Sequence, residues 1–298
     1  MTVTPCRLSV VVASNNARAS IAECLSILAP RCDGRDVELV VVDNSTDGTD
    51  GILRRDFPTV RAIAAPSRAL IPELWTIGIQ QTRGELVAIT TAHCVPHKDW
   101  VPRILEALRG DEAAVGGAIE NDPSAGLVEW AIYFCRYSGF MLPLPRAIVP
   151  EIAGDNACYR RAPLDRCRDA WSDGFFEPAV HARLRGAGLR LLFEPGIVVF
   201  HKKSFGVVSF VTQRFLHGME FGRDRVARCS AVRRLIYIGL APAIPAVLLA
   251  RIARRVLGKR RHRAALLRCA PLLLLFLLAW SFGESIGYLR GGRVEAPR

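Results

Sequence analysis

Short runs of apolar, β-branched residues alternate with amphipathic segments along the first third of the chain. Strands are predicted at 8–13, 37–43, 60–65 and 85–90, because each run is compact and bounded by polar or turn residues. Helices are predicted between them at 17–30 and 69–84, where apolar residues recur every three or four positions. This alternation is typical of an α/β fold with a parallel sheet and right-handed crossovers, an architecture that binds nucleotides.

The pattern becomes less regular after residue 100. We predict a helix from 100, a strand at 113–121, a helix at about 177–186, and two short strands that end at His201. The aromatic segment 122–150 is interpreted as a pocket wall or a mobile region.

Two apolar segments, 235–250 and 269–283, follow in the last quarter of the chain. Each is shorter than the roughly 20 residues of a membrane-spanning helix, and basic residues flank the first on both sides. We therefore favour helices that lie in or dip into the cytoplasmic leaflet. A spanning hairpin with snorkelling arginines and a buried soluble hairpin are the alternatives.

Charge and composition support this division. The net charge of the 298 residues is +12, but residues 223–263 carry twelve Lys or Arg and one acid, so residues 1–222 are near neutral. The charge is therefore not a nucleic-acid footprint, and no nucleic-acid partner is predicted. Nine scattered cysteines without a C-x-x-C fit a reducing compartment, and the N-terminal residues do not resemble a secretory signal.

Several polar residues follow the predicted strands. Asp43 ends the second strand, where a carboxylate can bind a ribose or base, although an Asx turn explains it equally well. His93 and His201 both follow apolar strands and would bind a divalent ion if they were neighbours. Cys94 is a poor nucleophile partner for His93, because adjacent residues of an extended segment point to opposite sides. G-x-S-x-G, Walker A, G-x-G-x-x-G and H-E-x-x-H motifs do not occur.

In combination, five stretches resemble family 2 glycosyltransferases with the GT-A fold: LSVVVASNNARASIAECLSIL, VELVVVDNSTDGT, GIQQTRGELVAITTAHCVPHKDW, GDNACYRR and FFEPAVHARLRGAG with FEPGIVVFHK. The resemblance covers about residues 7–205. It implies a Rossmann-like GT-A domain, placed at 1–222, and a basic, apolar, membrane-associated helical region at 223–298. It also implies inverting transfer of a sugar from a nucleotide diphosphate sugar to an acceptor hydroxyl.

The resemblance assigns the nucleotide to Ala13, Asn15, Asp43 and Asp47. The family's D-x-D, which binds the diphosphate through a divalent cation, is replaced by Thr91-Ala92-His93. We expect Mn²⁺ or Mg²⁺, with His93 and His201 as ligands and a shift toward Mn²⁺ or another borderline ion. Alternatively no metal binds, and Lys202, Lys203 or Arg214 neutralises the diphosphate.

The resemblance further implies a general base at the start of a helix. Glu177 occupies that place, with Asp173 as the alternative, although a glutamate there is also a common helix cap. Asp155 and Asn156 are expected to lie on a loop that borders the donor and acceptor sugars.

The basic, apolar tail implies a cytoplasm-facing, membrane-associated enzyme with a lipid or lipid-linked acceptor. A nucleotidyltransferase on a similar fold and a non-catalytic membrane scaffold are the rival functions.

Overall fold

The computed structural model describes residues 6–32, 36–202, 205–227 and 229–291. The described strands are β1 Leu8–Ser14, β2 Val37–Asp43, β3 Arg61–Ala64, β4 Leu86–Thr91, β5 Cys94–Pro96, β6 Ala114–Asn121, β7 Ala147–Val149, β8 Asn156–Arg160 and β9 Leu191–His201. The described α-helices are α1 Ile21–Leu28, α2 Thr49–Asp56, α3 Ile71–Gln80, α4 Trp100–Ala107, α5 Leu127–Tyr137, α6 Arg161–Arg166, α7 Glu177–Gly186, α8 Val207–Val226, α9 Ala231–Leu240, α10 Ile244–Gly258 and α11 Arg263–Arg290.

The chain forms two compact units. The first comprises residues 1–122 and 140–203, and the second comprises residues 123–139 and 204–298. The predicted boundary after residue 222 lies inside α8, whereas the units divide at residue 203. The segment predicted as a pocket wall or mobile region contains α5, which belongs to the second unit.

The first unit is built on one mixed sheet with the order β3-β2-β1-β4-β8-β6-β9-β5, and β7 pairs with β9. Strands β3, β2, β1 and β4 are parallel, as predicted, and the two strands at its centre are fully buried because helices cover both faces of such a sheet. Their apolar residues pack with Leu74, Trp75 and Ile79 of α3 in the main core.

The second half of the sheet differs from the prediction. Strand β8 inserts antiparallel between β4 and β6, so Asn156 begins a strand rather than lying on a loop. The two short strands expected before His201 are one strand, β9, whose pairing with β6 shifts between Gly117 and Ala118. A bulge of this kind bends a strand without ending it.

The second unit is helical. Helices α8 and α11 approach so closely that a Cβ on Gly218, Gly222, Gly283 or Gly287 would collide with a backbone carbonyl oxygen of the other helix. Glycines at this four-residue spacing allow close helix packing in membranes. The helical stretches 231–258 and 263–290, each 28 residues, are long and apolar enough to cross a membrane by length and composition alone. They exceed the 15-residue segments of the sequence prediction and fit a membrane-associated tail.

Candidate active site

The carboxyl ends of β1, β2 and β4 meet at one edge of the sheet. Ser14 pairs with Asp43, and the buried Ala13 pairs with Thr91. Asp43 Oδ1 accepts a hydrogen bond from Ser45 Oγ at 2.6 Å, and Asn15 Nδ2 donates to Asn44 Oδ1 at 2.8 Å. Because parallel strands end together, residues predicted from separate segments share this edge.

Asp47 joins the loops that follow β1 and β2. Its Oδ1 accepts from the Thr49 hydroxyl at 2.5 Å and the Thr49 amide at 3.1 Å, and its Oδ2 accepts from the Arg18 amide at 3.0 Å. Burial opposes ionisation of this carboxyl, but the hydrogen bonds from Thr49 and Arg18 outweigh it, and the pKa of Asp47 is lowered. Asp47 therefore fixes the shape of the loops as an anion.

The chain turns sharply after β4 and returns as β5. This turn places His93 beside His201, because Cys94 of β5 pairs with His201 of β9. The two imidazole rings are perpendicular, with centroids 5.5 Å apart. The Lys202 amide donates to the His93 carbonyl at 2.8 Å and so holds the turn. The two histidines, whose proximity the sequence left open, thus lie together.

Asp155 supplies a carboxylate to this turn. Thr91 Oγ1 donates to Asp155 Oδ1 at 3.0 Å and lies 3.3 Å from His93 Nε2. One ligand atom from each of His93, Cys94 and Asp155 lies within 4.8 Å of the others, and all three residues are buried. The sequence prediction that His93 and Cys94 point apart is therefore wrong, because His93 lies in a turn rather than in extended chain.

This donor set fits a divalent cation. Imidazole and thiolate favour borderline ions such as Zn²⁺ and carboxylate favours Mn²⁺ or Mg²⁺, so the mixture suits a borderline ion better than Mg²⁺. His201 is adjacent to the cluster without being one of its three donors. Beside it in the β6–β9 register, the buried amide of Asn121 has no hydrogen-bond partner within the described residues. The Asn121 amide is thus available beside the cluster.

Glu177 reaches the same place from α7. Its Oε1 accepts a hydrogen bond from the Gly154 amide at 3.1 Å, one residue before Asp155. A Cβ at Gly154 would lie 2.7 Å from Glu177 Oε1 and 2.9 Å from the Trp75 ring, so only glycine permits this approach. Glu177 is partly exposed, whereas Asp155 is buried. A solvent-accessible carboxylate therefore lies beside a buried one.

Asn156 is enclosed rather than exposed. Its Nδ2 donates to the carbonyls of Ala118 at 2.8 Å and Ile197 at 3.0 Å, and its Oδ1 accepts from Trp100 Nε1 at 2.7 Å. Asn156 is fully buried, so these bonds tie β6, β9 and α4 together behind Asp155. That Asn156 borders the sugar stays a prediction, whereas its hydrogen bonds to three elements of the first unit show that it holds the site in place.

A polar pair behind Glu177 was missed by the sequence analysis. Tyr159 Oη and His181 Nε2 are 2.9 Å apart, and both residues are fully buried. Burial, with a further contribution from Glu177, raises the pKa of Tyr159, and burial lowers the pKa of His181 to about 4. Both groups are therefore neutral at pH 7. His181 lies four residues after Glu177 on α7, and this spacing could have indicated that both residues face the same side of the helix.

Lys202 is the one of the three proposed basic residues that the structure describes in the first unit. Lys202 Nζ binds Glu23 at 2.7 Å and lies 3.6 Å from Asp122, and these contacts raise its pKa. Arg214 belongs to the second unit, and Lys203 lies outside the described residues. Lys202 is thus already neutralised by carboxylates.

Comparisons with known proteins agree with this architecture. The sequence profile of glycosyl transferase family 2 matches residues 9–168, more than half of the chain. A comparison with curated proteins found no match. Among solved structures, the mannosyltransferase PcManGT from Pyrobaculum calidifontis, in complex with GDP-Man and Mn²⁺, is similar with a TM-score of 0.56 and 20% identity over 94% of this chain and 88% of its own.

Two further solved structures are similar. A mycobacterial protein has a TM-score of 0.50 and 18% identity over 71% of this chain and 72% of its own. Residues 1–349 of TarS from S. aureus, in complex with UDP-GlcNAc, have a TM-score of 0.49 and 13% identity over 95% of this chain and 91% of their own. The profile match and the shared fold together show that the chain belongs to glycosyl transferase family 2 and is a glycosyltransferase with the GT-A fold.

Proposed function

We propose that this glycosyltransferase moves a sugar, with inversion, from a nucleotide diphosphate sugar to a hydroxyl of a lipid or lipid-linked acceptor. One observation carries the proposal. The Glu177 carboxylate accepts a hydrogen bond from the Gly154 amide, next to Asp155 of the His93–Cys94–Asp155 cluster at the carboxyl edge of the sheet. A base and a diphosphate-binding group must lie together for this chemistry, because the sugar carbon is attacked on one face and released from the other.

The donor is assigned to the ends of the first strands. Ala13, Asn15, Asp43 and Asp47 would hold the nucleoside, and Thr91 and His93 would lie at the diphosphate. The related fold of PcManGT, solved with GDP-Man and Mn²⁺, supports a nucleotide sugar and a divalent cation as ligands.

His93, Cys94 and Asp155 would hold the cation, and His201 would assist from beside His93. The chemistry that a bound cation supplies is neutralisation of the diphosphate charge. Asp155, which accepts a hydrogen bond from Thr91, would thereby supply the carboxylate that Thr91-Ala92-His93 lacks. Asp155 and Asn156 would also border the transferred sugar, Asp155 directly and Asn156 through the strand start that it holds.

Glu177 performs the proton transfer. Its carboxylate accepts the proton of the acceptor hydroxyl as that oxygen forms a bond to the anomeric carbon. The bond between that carbon and the diphosphate oxygen breaks with its electron pair on oxygen, so the nucleoside diphosphate leaves and the configuration inverts. The partial exposure of Glu177 allows the acceptor to reach it.

The exposed surface of the second unit supports a lipid or lipid-linked acceptor. Large apolar side chains are exposed on its two long helical stretches, including Val232, Leu235, Leu267 and Phe282 at 64–73% of their surface. Such exposure favours contact with lipid rather than water. The basic residues between and before these helices favour the anionic cytoplasmic leaflet. We therefore place the enzyme at the cytoplasmic face of the membrane.

The test is donor turnover by the full chain in lipid nanodiscs. Released UDP, GDP or dTDP is measured over a panel of nucleotide sugars with Mn²⁺, Mg²⁺ or a chelator. Glu177→Gln is expected to lower the rate by roughly 10²–10⁴-fold, with nucleotide binding by calorimetry unchanged. Asp173→Asn removes the exposed carboxylate that the sequence offered as the alternative base and is expected to retain activity. Equal activity of Glu177→Gln and the wild type would refute the assignment, and no nucleotide binding at all would favour a scaffold.

A further inference from the structure

The second unit contains a cavity of about 750 Å³, separate from the catalytic residues of the first unit. Arginines from three helices line it: Arg136 of α5, Arg214 and Arg225 of α8, and Arg251 and Arg255 of α10. Its described lining holds a single acid, Glu284 of α11. The cavity is therefore strongly basic.

Glu284 is already engaged. Arg225 Nη1 lies 3.2 Å from Glu284 Oε1, Trp280 Nε1 donates to Oε2 at 2.9 Å, and the Tyr288 hydroxyl donates to Oε1. Glu284 therefore neutralises Arg225. Because Glu284 is only 2% exposed, it has little capacity for another cation. Arg214, Arg251 and Arg255 thus bring positive charge to a cavity whose described acid already pairs with Arg225.

Arg214 is the most enclosed of these cations. Its guanidinium lies over the Trp280 ring, 4.1 Å from the centroid, and its Nε is buried without a hydrogen-bond partner within the described residues. Burial lowers the pKa of Arg214, and the nearby Arg136 acts in the same direction. A buried N–H without an acceptor is costly, and an anion in the cavity would relieve that cost for the Nε of this half-buried side chain.

Arg251 and Arg255 add a second unfavourable arrangement. They are four residues apart on α10, and no carboxylate of the described residues lies within 4.0 Å of either. Like charges at this spacing destabilise a helix. Both side chains face the same cavity, where one multivalent anion can bind both.

The rest of the wall is apolar, and this determines the kind of anion. Leu240, Ile244, Val247, Leu248 and Leu277 line it, on helical segments long and apolar enough to lie in a bilayer. A purely polar anion leaves this surface uncovered, whereas a lipid covers it with its chain. Basic pockets between membrane helices bind anionic lipid headgroups for the same reason.

We infer that this cavity binds a lipid with a phosphate monoester or diphosphate headgroup, which contacts the arginines while the chain lies along the apolar wall. A headgroup of two or more negative charges matches several arginines better than a singly charged phosphodiester. The inference needs the second unit alone and does not rest on the proposed transfer reaction.

The experiment compares lipids with identical chains on the full protein in detergent. Retention of dioleoyl phosphatidic acid, phosphatidylglycerol and phosphatidylcholine is measured by native mass spectrometry, with inorganic phosphate as a competitor. Phosphatidic acid is expected to bind at least about fivefold more tightly than phosphatidylglycerol, and phosphatidylcholine least. Equal binding of the first two, or full displacement by equimolar inorganic phosphate, would overturn the inference.

A charge-matched pair of variants tests the location. Arg251→Gln with Arg255→Gln is expected to weaken phosphatidic acid binding at least tenfold. Arg254→Gln with Arg268→Gln removes the same charge from α10 and α11 outside the cavity lining and is expected to change it less than about twofold. Equal losses in both pairs would show general surface attraction instead. Glu177→Gln should retain the lipid like the wild type, which separates this result from failure of the proposed catalysis.

Discussion

Replacement of Asn156 by alanine tests how the candidate site is held in place. The change removes two donated hydrogen bonds, to the Ala118 and Ile197 carbonyls, and one accepted from Trp100 Nε1. All three partners lose a bond in an interior from which water is excluded. We expect a large loss of stability in the first unit, although Asn156 is not a catalytic residue.

The magnitude follows from the groups left behind. A buried polar group deprived of its partner costs about 1–3 kcal/mol, and three that share one location do not add fully, so we expect a loss of about 4 kcal/mol. A unit of this size loses roughly 2–4 °C in melting temperature per kcal/mol, which gives a shift of about 12 °C.

Thermal unfolding followed by tryptophan fluorescence measures this shift, since Trp100 reports on the site itself. The matched control is Asn121→Ala, because Asn121 is also buried but its amide makes no hydrogen bond within the described residues. The control is expected to lose less than about 1 kcal/mol. If both variants melt within a few degrees of the wild type, the hydrogen bonds of Asn156 do not hold the site, and the reasoning fails.

Three further predictions concern other parts of the molecule. The pKa of His181 is about 4 in the folded protein against 6.5 in the unfolded chain, so protonation below pH 6.5 favours the unfolded chain. The free energy of unfolding is expected to fall by up to about 3 kcal/mol between pH 6.5 and pH 4. Denaturation curves of His181→Gln should show a smaller fall over the same pH range. Titration with Co²⁺ should give a charge-transfer band from a bound thiolate, and Cys94→Ser should abolish it. The control Cys158→Ser, at a buried position in β8, should retain the band. An unchanged band in Cys94→Ser would exclude the Cys94 thiol as a ligand. Gly283→Val should lower the stability of the detergent-solubilised protein by about 1–3 kcal/mol, because the new side chain would collide with the Phe215 carbonyl. Gly239→Val, where the added side chain has open space, is the control. Equal melting temperatures of the two variants would disprove close packing of α8 on α11.

The parallel half of the sheet was predictable because each of its strands is defined locally. Val37–Asp43 was predicted with its exact bounds, since the continuous apolar run from Leu39 to Val42 marks a buried parallel strand and the polar Asp43 ends it. Helix Glu177–Gly186 was also predicted in full, because Pro178 near its start and glycines at its end are local signals. The antiparallel strand Asn156–Arg160 was not predicted, because its position between β4 and β6 depends on residues far along the chain.

The sequence by itself determined which chemical groups are present and which strand ends bear them. Its resemblance to family 2 glycosyltransferases predicted Thr91 and His93 at the positions of the aspartates in the diphosphate motif, and its local pattern predicted a helix that begins near Glu177. Only the tertiary structure decided which groups meet, because Asp155 reaches Thr91 through antiparallel pairing and Cys94 turns toward His93 through a reversal of the chain. Local preferences of the backbone fix a strand or a helix, whereas the composition of a site depends on which distant strands pair.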